Sequence, residues 1–253
     1  MRKATTIILI HGVMQSGKDT LGSMIQAELF RTRTGLPVNI IKFADALKND
    51  CRDHIQPILN IINERIDEVI SRVHPSEMSF YHRLMALKTN PDNWYENKTE
   101  LTRLFLQKIG TEFCRATDSD VWAKRFAKAV RELDITQTNI VICTDLRFEN
   151  EASIEEQFSI EERQFIEVVR IKVVRNSAQS TGVIGHASEA GLDDDWFDYI
   201  VENNYDLTTL MESAKLIIDH LTQDVDTVDP SIECDEWPLH LPLNFTRNLP
   251  PPK

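Results

Sequence analysis

Gly12-Val-Met-Gln-Ser-Gly17-Lys18 carries two glycines five positions apart with a lysine directly after the second, the spacing G-x-x-x-x-G-K. Glycines at those positions let the backbone curl until successive N–H groups face one concavity, and the lysine brings a cation to the same place. That combination suits the β- and γ-phosphates of a nucleoside triphosphate, with Gly12, Ser16, Gly17, Lys18, Asp19 and Thr20 as the residues that would hold it. Its context is the required one, after a buried strand and before an amphipathic helix. One position departs from the common pattern, because Asp19 stands where a serine or threonine usually ligates Mg²⁺. Asp19 either reaches a metal through water or begins the helix as an anion near its positive end, and the second role is favoured; Thr20 is then available to hydrogen-bond a phosphate.

Asp145-Leu-Arg147 is the second constellation. An acid at the end of a strand can hold Mg²⁺ or its water shell, and an arginine two residues on offers a planar fork to a phosphate. The alternative is that the two pair with each other or cap residues 149–155. Arg103, Gln107, Thr111 and Arg115 recur every four residues and so share one helix face, with Leu104, Ile109 and Phe113 left for the core. Arginines so placed could clamp an acceptor phosphate, since phosphoryl transfer is mostly positioning and charge neutralisation. Arg175 closes a strand and precedes a polar stretch suited to a lid over about 175–188; His186 and Glu189 would be its hinge or support.

These residues need a frame, and the apolar runs supply it. Segments 6–11, 38–43, 139–144, 168–174 and 198–202 are β-branched and nearly continuous in apolar character, as strands buried on both faces are. Between and after them lie helical patterns at 20–32, 44–60, 77–87, 99–115, 120–133 and 207–221. Alternating strands and helices predict a three-layer α/β fold, a five-stranded parallel sheet flanked by helices, with ligands beyond the carboxyl ends of the strands. The stretch 44–133 is longer than one crossover requires, and is expected to be a helical acceptor-binding region within a domain spanning 1–223.

Bulk properties narrow the function. A chain of 253 residues with 42% hydrophobic and 27% charged residues fits an ordinary globular protein. A net charge of −12 disfavours nucleic-acid and anionic-membrane binding, which need a basic surface. Four scattered cysteines, Cys51, Cys114, Cys143 and Cys234, form neither a metal nor a disulfide pattern, and reduced thiols in a cytoplasmic setting are expected. No apolar run is long enough for a membrane span. In the tail 224–253, acidic residues alternate with prolines at a density expected to forbid a regular element. Its Trp237, Leu239, Leu241, Leu243 and Phe245 suggest a strap over the surface or a subunit contact, the latter implying a homodimer, with a frayed tail as the even alternative.

Taken together, the motifs resemble the deoxynucleoside monophosphate kinases of tailed bacteriophages. The matching blocks are Ser16-Gly-Lys-Asp-Thr20, Phe43-Ala-Asp-Ala-Leu-Lys48, Leu106-Gln-Lys-Ile-Gly-Thr-Glu112 with Arg115, Trp122, Thr144-Asp-Leu-Arg-Phe-Glu-Asn-Glu151, and Gly185-His-Ala-Ser-Glu189 with Gly191-Leu192. The resemblance implies a P-loop nucleoside monophosphate kinase fold and transfer of the γ-phosphoryl of Mg·ATP to a deoxynucleoside 5′-monophosphate. It implies Lys18, Asp145, Arg147, Arg115 and Arg175 as catalytic, Asp145 and Asp19 as the metal-side acids, and Lys42, Asp45, Arg103, Gln107, Thr111, Arg115 and Arg147 as acceptor-binding. Animal phosphomevalonate kinases look like distant relatives and are the runner-up. A P-loop ATPase or nucleotide switch is the reading from another class.

Overall fold

The computed structural model describes residues 3–33, 35–55, 106–176, 191–222 and 245–247. The chain divides into two compact units, residues 1–43 with 123–253, and residues 44–122.

The first unit is built on a sheet of order β2-β3-β1-β4-β5-β6. Strands β1 (Thr5–His11), β2 (Val38–Ile40), β3 (Asn139–Leu146), β4 (Ile166–Val174) and β5 (Tyr199–Glu202) are mutually parallel where they pair. This is the expected five-stranded parallel sheet, with β3 and β4 on either side of β1. β1 is buried at every position, which explains its unbroken apolar run: alternate side chains serve opposite faces and both faces are covered. Ile8 and Ile10 join Ile142, Ile171 and Val201 in a core with helices α1 (Lys18–Thr32) and α4 (Leu207–Thr222). Ile7, Leu9, Val141 and Cys143 are just as buried at the intervening positions.

Each helix follows from its spacing. Leu21, Ile25 and Leu29 of α1 repeat every four residues and are fully buried. α4 opens with Asp206, whose Oδ1 accepts from the Thr209 backbone N–H at 2.9 Å, a capping contact that fixes where the helix starts. It then buries Leu210, Ala214, Ile217 and Leu221. In α3 (Val121–Arg131), Phe126, Ala127 and Val130 form the buried side.

The tail departs from expectation. Residues 245–247 form β6 (Phe245–Arg247), antiparallel to β5. Proline density argued against any regular element, but the run from Leu243 to Leu249 contains no proline, so its N–H groups can pair with an exposed strand edge. Strand β2 is also shorter than the predicted 38–43, because Lys42 turns to bond Asp19 and α2 (Phe43–Asp50) starts directly after it.

In the second unit, the helix predicted over 44–60 appears as α2 followed by a π-helical stretch, Cys51–Ile55, in its described part. The described end of the helix predicted over 99–115 is π-helical at Lys108–Cys114. There Gly110 packs so closely on Leu47 that a Cβ would lie 2.8 Å from Leu47 Cδ2, and Trp122 Nε1 donates to Gly110 O at 2.9 Å. A π-helix bonds i to i+5, so its faces rotate out of α-helical phase. Phe113, assigned to the core by α-helical spacing, is 74% exposed for that reason. The helix expected over 77–87 lies outside the described residues, and so do Leu104, Cys234 and the apolar positions 237–243. No described helix is long and apolar enough to cross a membrane. Among the described residues Cys51, Cys114 and Cys143 form no disulfide, and the first and last are buried.

Candidate active site

The loop between β1 and α1 is held in a shape that few residues permit. At Gly12 a Cβ would lie 2.8 Å from Val173 O of β4 and 2.4 Å from Ser16 Oγ. Gln15 (φ 65°) and Gly17 (φ 98°) are left-handed, and Ser16 N donates to Val13 O at 3.1 Å. α1 then starts at Lys18 with no side-chain cap, and Leu21 N donates to Gly17 O at 2.9 Å. The N–H groups before Leu21 therefore have no carbonyl within the helix to bond, and the positive end of α1 is presented to the loop. Ser16 Oγ is buried and has no hydrogen-bond partner among the described residues. An uncapped helix end, a glycine-walled loop and an unsatisfied hydroxyl fit a phosphate chain.

Around this loop the charges are clustered. Lys18 Nζ folds back onto Val13 O at 3.4 Å. Burial lowers its pKa most; Asp19 and Asp145 oppose that shift, while Arg147 and Lys42 add to it, so all four charges act on the ammonium. Asp19 Oδ1 accepts from Thr144 Oγ1 at 2.6 Å and from Lys42 Nζ at 3.0 Å. Burial would raise its pKa, but those two hydrogen bonds together with the cations Lys42 and Lys18 hold the carboxyl below its usual range. Asp19 thus sits in the first turn of α1 and ties it to β3 and to the end of β2.

Asp145 leaves β3 at its carboxyl end, and its Oδ1 accepts from the Phe43 backbone N–H at 3.0 Å and from Cys143 Sγ at 3.1 Å. Burial, reinforced by the Asp145 charge, keeps the Cys143 thiol protonated. Arg147 is exposed at the same edge. Its backbone N–H and that of Phe148 donate to Glu151 Oε2 at 2.9 and 3.2 Å, so the buried Glu151 caps the short helix Glu149–Ala152. That capping task belongs to neither Asp145 nor Arg147. Among the described residues no group of three or more His, Cys, Asp and Glu could hold a metal. A Mg²⁺ ion would draw most of its ligands from phosphate and water, as it commonly does, with Asp145 and Asp19 as the nearby acids.

The remaining predicted residues are distributed unevenly. Thr20 is exposed in the first turn of α1, and Arg175 is exposed just after β4. Asp45, Gln107, Thr111 and Arg115 belong to the second unit. Within it Gln107 immediately precedes the π-helix that contains Thr111, and Arg115 donates from a terminal guanidinium nitrogen to Ser119 O at 2.9 Å. Arg103, His186 and Glu189, and all of the proposed lid beyond residue 176, lie outside the described residues.

The structure adds residues that sequence spacing did not single out. Asn203, at the end of β5, donates from Nδ2 to Ser16 O at 2.8 Å and from its backbone N–H to Val174 O at 2.7 Å. His11, the last residue of β1, bonds Leu146 O through Nδ1 at 2.9 Å; burial lowers its pKa, so the neutral ring donates to that carbonyl. Neither had a motif to announce it, because the bonds Asn203–Ser16 and His11–Leu146 each join residues more than a hundred positions apart.

No family model and no curated protein matches the sequence. Among solved structures, the chain is similar to the Mycobacterium tuberculosis APS kinase CysC in complex with AMPPNP and APS, with 9% identity and a TM-score of 0.44, covering 88% of this chain and 100% of that one. The Cys556Ala mutant of the same kinase gives 9% identity and a TM-score of 0.41 over the same shares. The crystal structure of APE1195 gives 16% identity and a TM-score of 0.29, covering 69% of this chain and 62% of that one.

Proposed function

We propose that this chain is an ATP-dependent phosphotransferase that moves the γ-phosphoryl of ATP to a deoxynucleoside monophosphate, giving the diphosphate and ADP. One observation carries the reading. A glycine-walled loop and an uncapped helix N-terminus meet Lys18 at the carboxyl edge of a parallel sheet, and the neighbouring strand brings Asp145 and Arg147 within electrostatic reach of that lysine. The acceptor class rests on the motif resemblance.

In this reading the loop N–H groups and Lys18 bind the β- and γ-phosphates. Mg²⁺, organised by Asp145, would supply charge neutralisation on the phosphate oxygens. Arg147, with Arg115, Arg103 and Arg175, would hold acceptor and transferring phosphates through planar forks. Lys42 and Asp45, with Gln107 and Thr111, would shape the acceptor side. No general base is needed, because an acceptor monophosphate is already an anionic nucleophile at neutral pH, and alignment does the rest.

The test is a coupled assay of ADP formation with Mg·ATP against the deoxynucleoside monophosphates, ribonucleoside monophosphates and phosphomevalonate. ADP formed in step with a deoxynucleoside monophosphate is the expected result. Stimulation by phosphomevalonate alone would replace the acceptor, and phosphate release without any acceptor would replace the kinase with an ATPase. No response to any acceptor ends the proposal.

A further inference from the structure

We propose that Asn203 is a positioning residue of the phosphate loop, acting through the Ser16–Gly17 peptide to aim the Gly17 N–H at the bound phosphates. This rests on reading the loop as a triphosphate cradle.

A phosphate-binding loop has to sort its peptide groups: N–H groups must face the anion and carbonyl oxygens must face away, since a carbonyl dipole turned inward would repel phosphate. In a planar trans peptide the C=O of one residue and the N–H of the next point in opposite directions. Fixing one therefore fixes the other. Ser16 O is fixed by Asn203 Nδ2 at 2.8 Å, a buried contact, and the described peptides include no cis bond. The Gly17 N–H consequently points away from Asn203. It joins the first N–H groups of α1, which also lack partners within the helix.

Complementarity between the two residues supports the assignment. Gly17 has φ 98°, and a Cβ on it would lie 2.2 Å from Asn203 Nδ2. The amide occupies the space a side chain at position 17 would need, so the glycine and the asparagine require each other. Asn203 is itself held, because its backbone N–H donates to Val174 O at 2.7 Å and its residue is 9% exposed. The neighbouring carbonyl, Val173 O, limits Gly12 at the other end of the loop. The chemical type also fits. A buried donor to a carbonyl beside an anion site should be neutral and short, since an aspartate would repel both the Ser16 carbonyl and the phosphates, while a lysine needs charge compensation that this contact lacks.

The experiment uses the full chain and a non-hydrolysable ATP analogue with Mg²⁺, titrated calorimetrically into wild type, Asn203→Ala, Asn203→Asp and Asn204→Ala. Asn204 is the matched control, because its Oδ1 accepts from the Asn176 backbone N–H at 2.8 Å instead of engaging the loop. Thermal melts without nucleotide separate folding from binding, and two Asn203 variants keep the test alive should one misfold. The expected result is a Kd about tenfold or more weaker in the folded Asn203 variants, equivalent to one hydrogen bond to a charged group, with Asn204→Ala within about twofold of wild type. KM for ATP should rise with them, while KM for the acceptor stays unchanged. A folded Asn203→Asp or Asn203→Ala variant with wild-type Kd overturns the proposal alone, as does equal weakening in Asn204→Ala. Failure of the wild type to bind the analogue overturns the cradle reading beneath it.

Discussion

Thr144 Oγ1 donates to Asp19 Oδ1 at 2.6 Å, fastening the first turn of the loop helix to the strand that carries Asp145. Residues 125 positions apart thereby set the spacing between the proposed triphosphate cradle and the acid proposed to organise its metal. Lys42 donates to the same carboxylate oxygen from the end of β2, so Asp19 joins β2, β3 and α1 at the carboxyl edge of the sheet.

Replacing Thr144 with valine keeps the shape and removes the donor. Burial favours protonation of Asp19, but the bonds from Thr144 and Lys42 outweigh it, and the folded-state pKa lies below the unfolded value. The stabilisation is therefore fully present above the unfolded pKa of about 3.9 and is lost as pH falls through the folded value. Thr144→Val should lower stability at pH 7 by about 0.5–1 kcal/mol, discounted because the Asp19 side chain is 64% exposed. Urea melts at neutral and acid pH check this: the gap between variant and wild type should shrink in acid. A gap independent of pH would mean that Asp19 ionisation is not the cause.

Lys18 is the cation assigned to the transferring phosphoryl. Lys18→Ala should leave the fold intact, since the bond its ammonium donates to Val13 O is long, at 3.4 Å. The loss at the transition state should be on the order of 3 to 4 kcal/mol, comparable with losing an oxyanion donor. Steady-state kinetics with Mg·ATP read this as a fall in kcat of roughly two to three orders of magnitude. Turnover near the wild-type rate would remove Lys18 from the chemistry.

Gly12 and Gly17 constrain the loop for different reasons, and the variants should separate them. Gly12→Ala drives a Cβ to 2.8 Å from a backbone carbonyl of β4, which cannot step aside. Gly17→Ala meets a side-chain amide, but also imposes φ 98° on an alanine. Both should cost about 1–3 kcal/mol, and Tm should fall in each. Gly17→Ala combined with Asn203→Ala should recover part of the Tm lost in Gly17→Ala, because the clash is gone and only the backbone strain remains. Additive losses in that double variant would show that Asn203 does not confine Gly17.

The strands were legible because a strand covered on both faces must be apolar along its whole length, and Ile7, Ile8, Leu9 and Ile10 are all fully buried. The glycine loop was legible because its chemistry depends on near neighbours in the chain. Asn203 and His11 were not, since an isolated polar residue at a strand end looks like any loop residue until a distant element supplies its partner, and the bond from Thr144 to Asp19 was hidden for the same want of a visible partner. Phe113 misled for another reason: four-residue spacing presumes an α-helix, and Lys108–Cys114 is π-helical. β6 was hidden by the prolines on either side of it, although the stretch between Pro242 and Pro250 is free of them.

Asp145 combines a structural bond with a proposed metal role, and the two can be separated. Its Oδ1 accepts from the Phe43 N–H, which sets where α2 begins. Asparagine keeps a carbonyl oxygen for that bond but removes the negative charge, whereas alanine removes both. Asp145→Asn should therefore hold its Tm near wild type, while Asp145→Ala loses about 1–3 kcal/mol as a partly buried backbone donor goes unpaired. If the carboxylate organises Mg²⁺, activity of Asp145→Asn should require a higher Mg²⁺ concentration for half-maximal rate and should fall at saturating metal, with thermal stability unchanged. Magnesium titrations at fixed ATP measure this directly. An unaltered magnesium dependence in a well-folded Asp145→Asn enzyme would confine Asp145 to capping α2 and leave the metal to phosphate, water and other side chains.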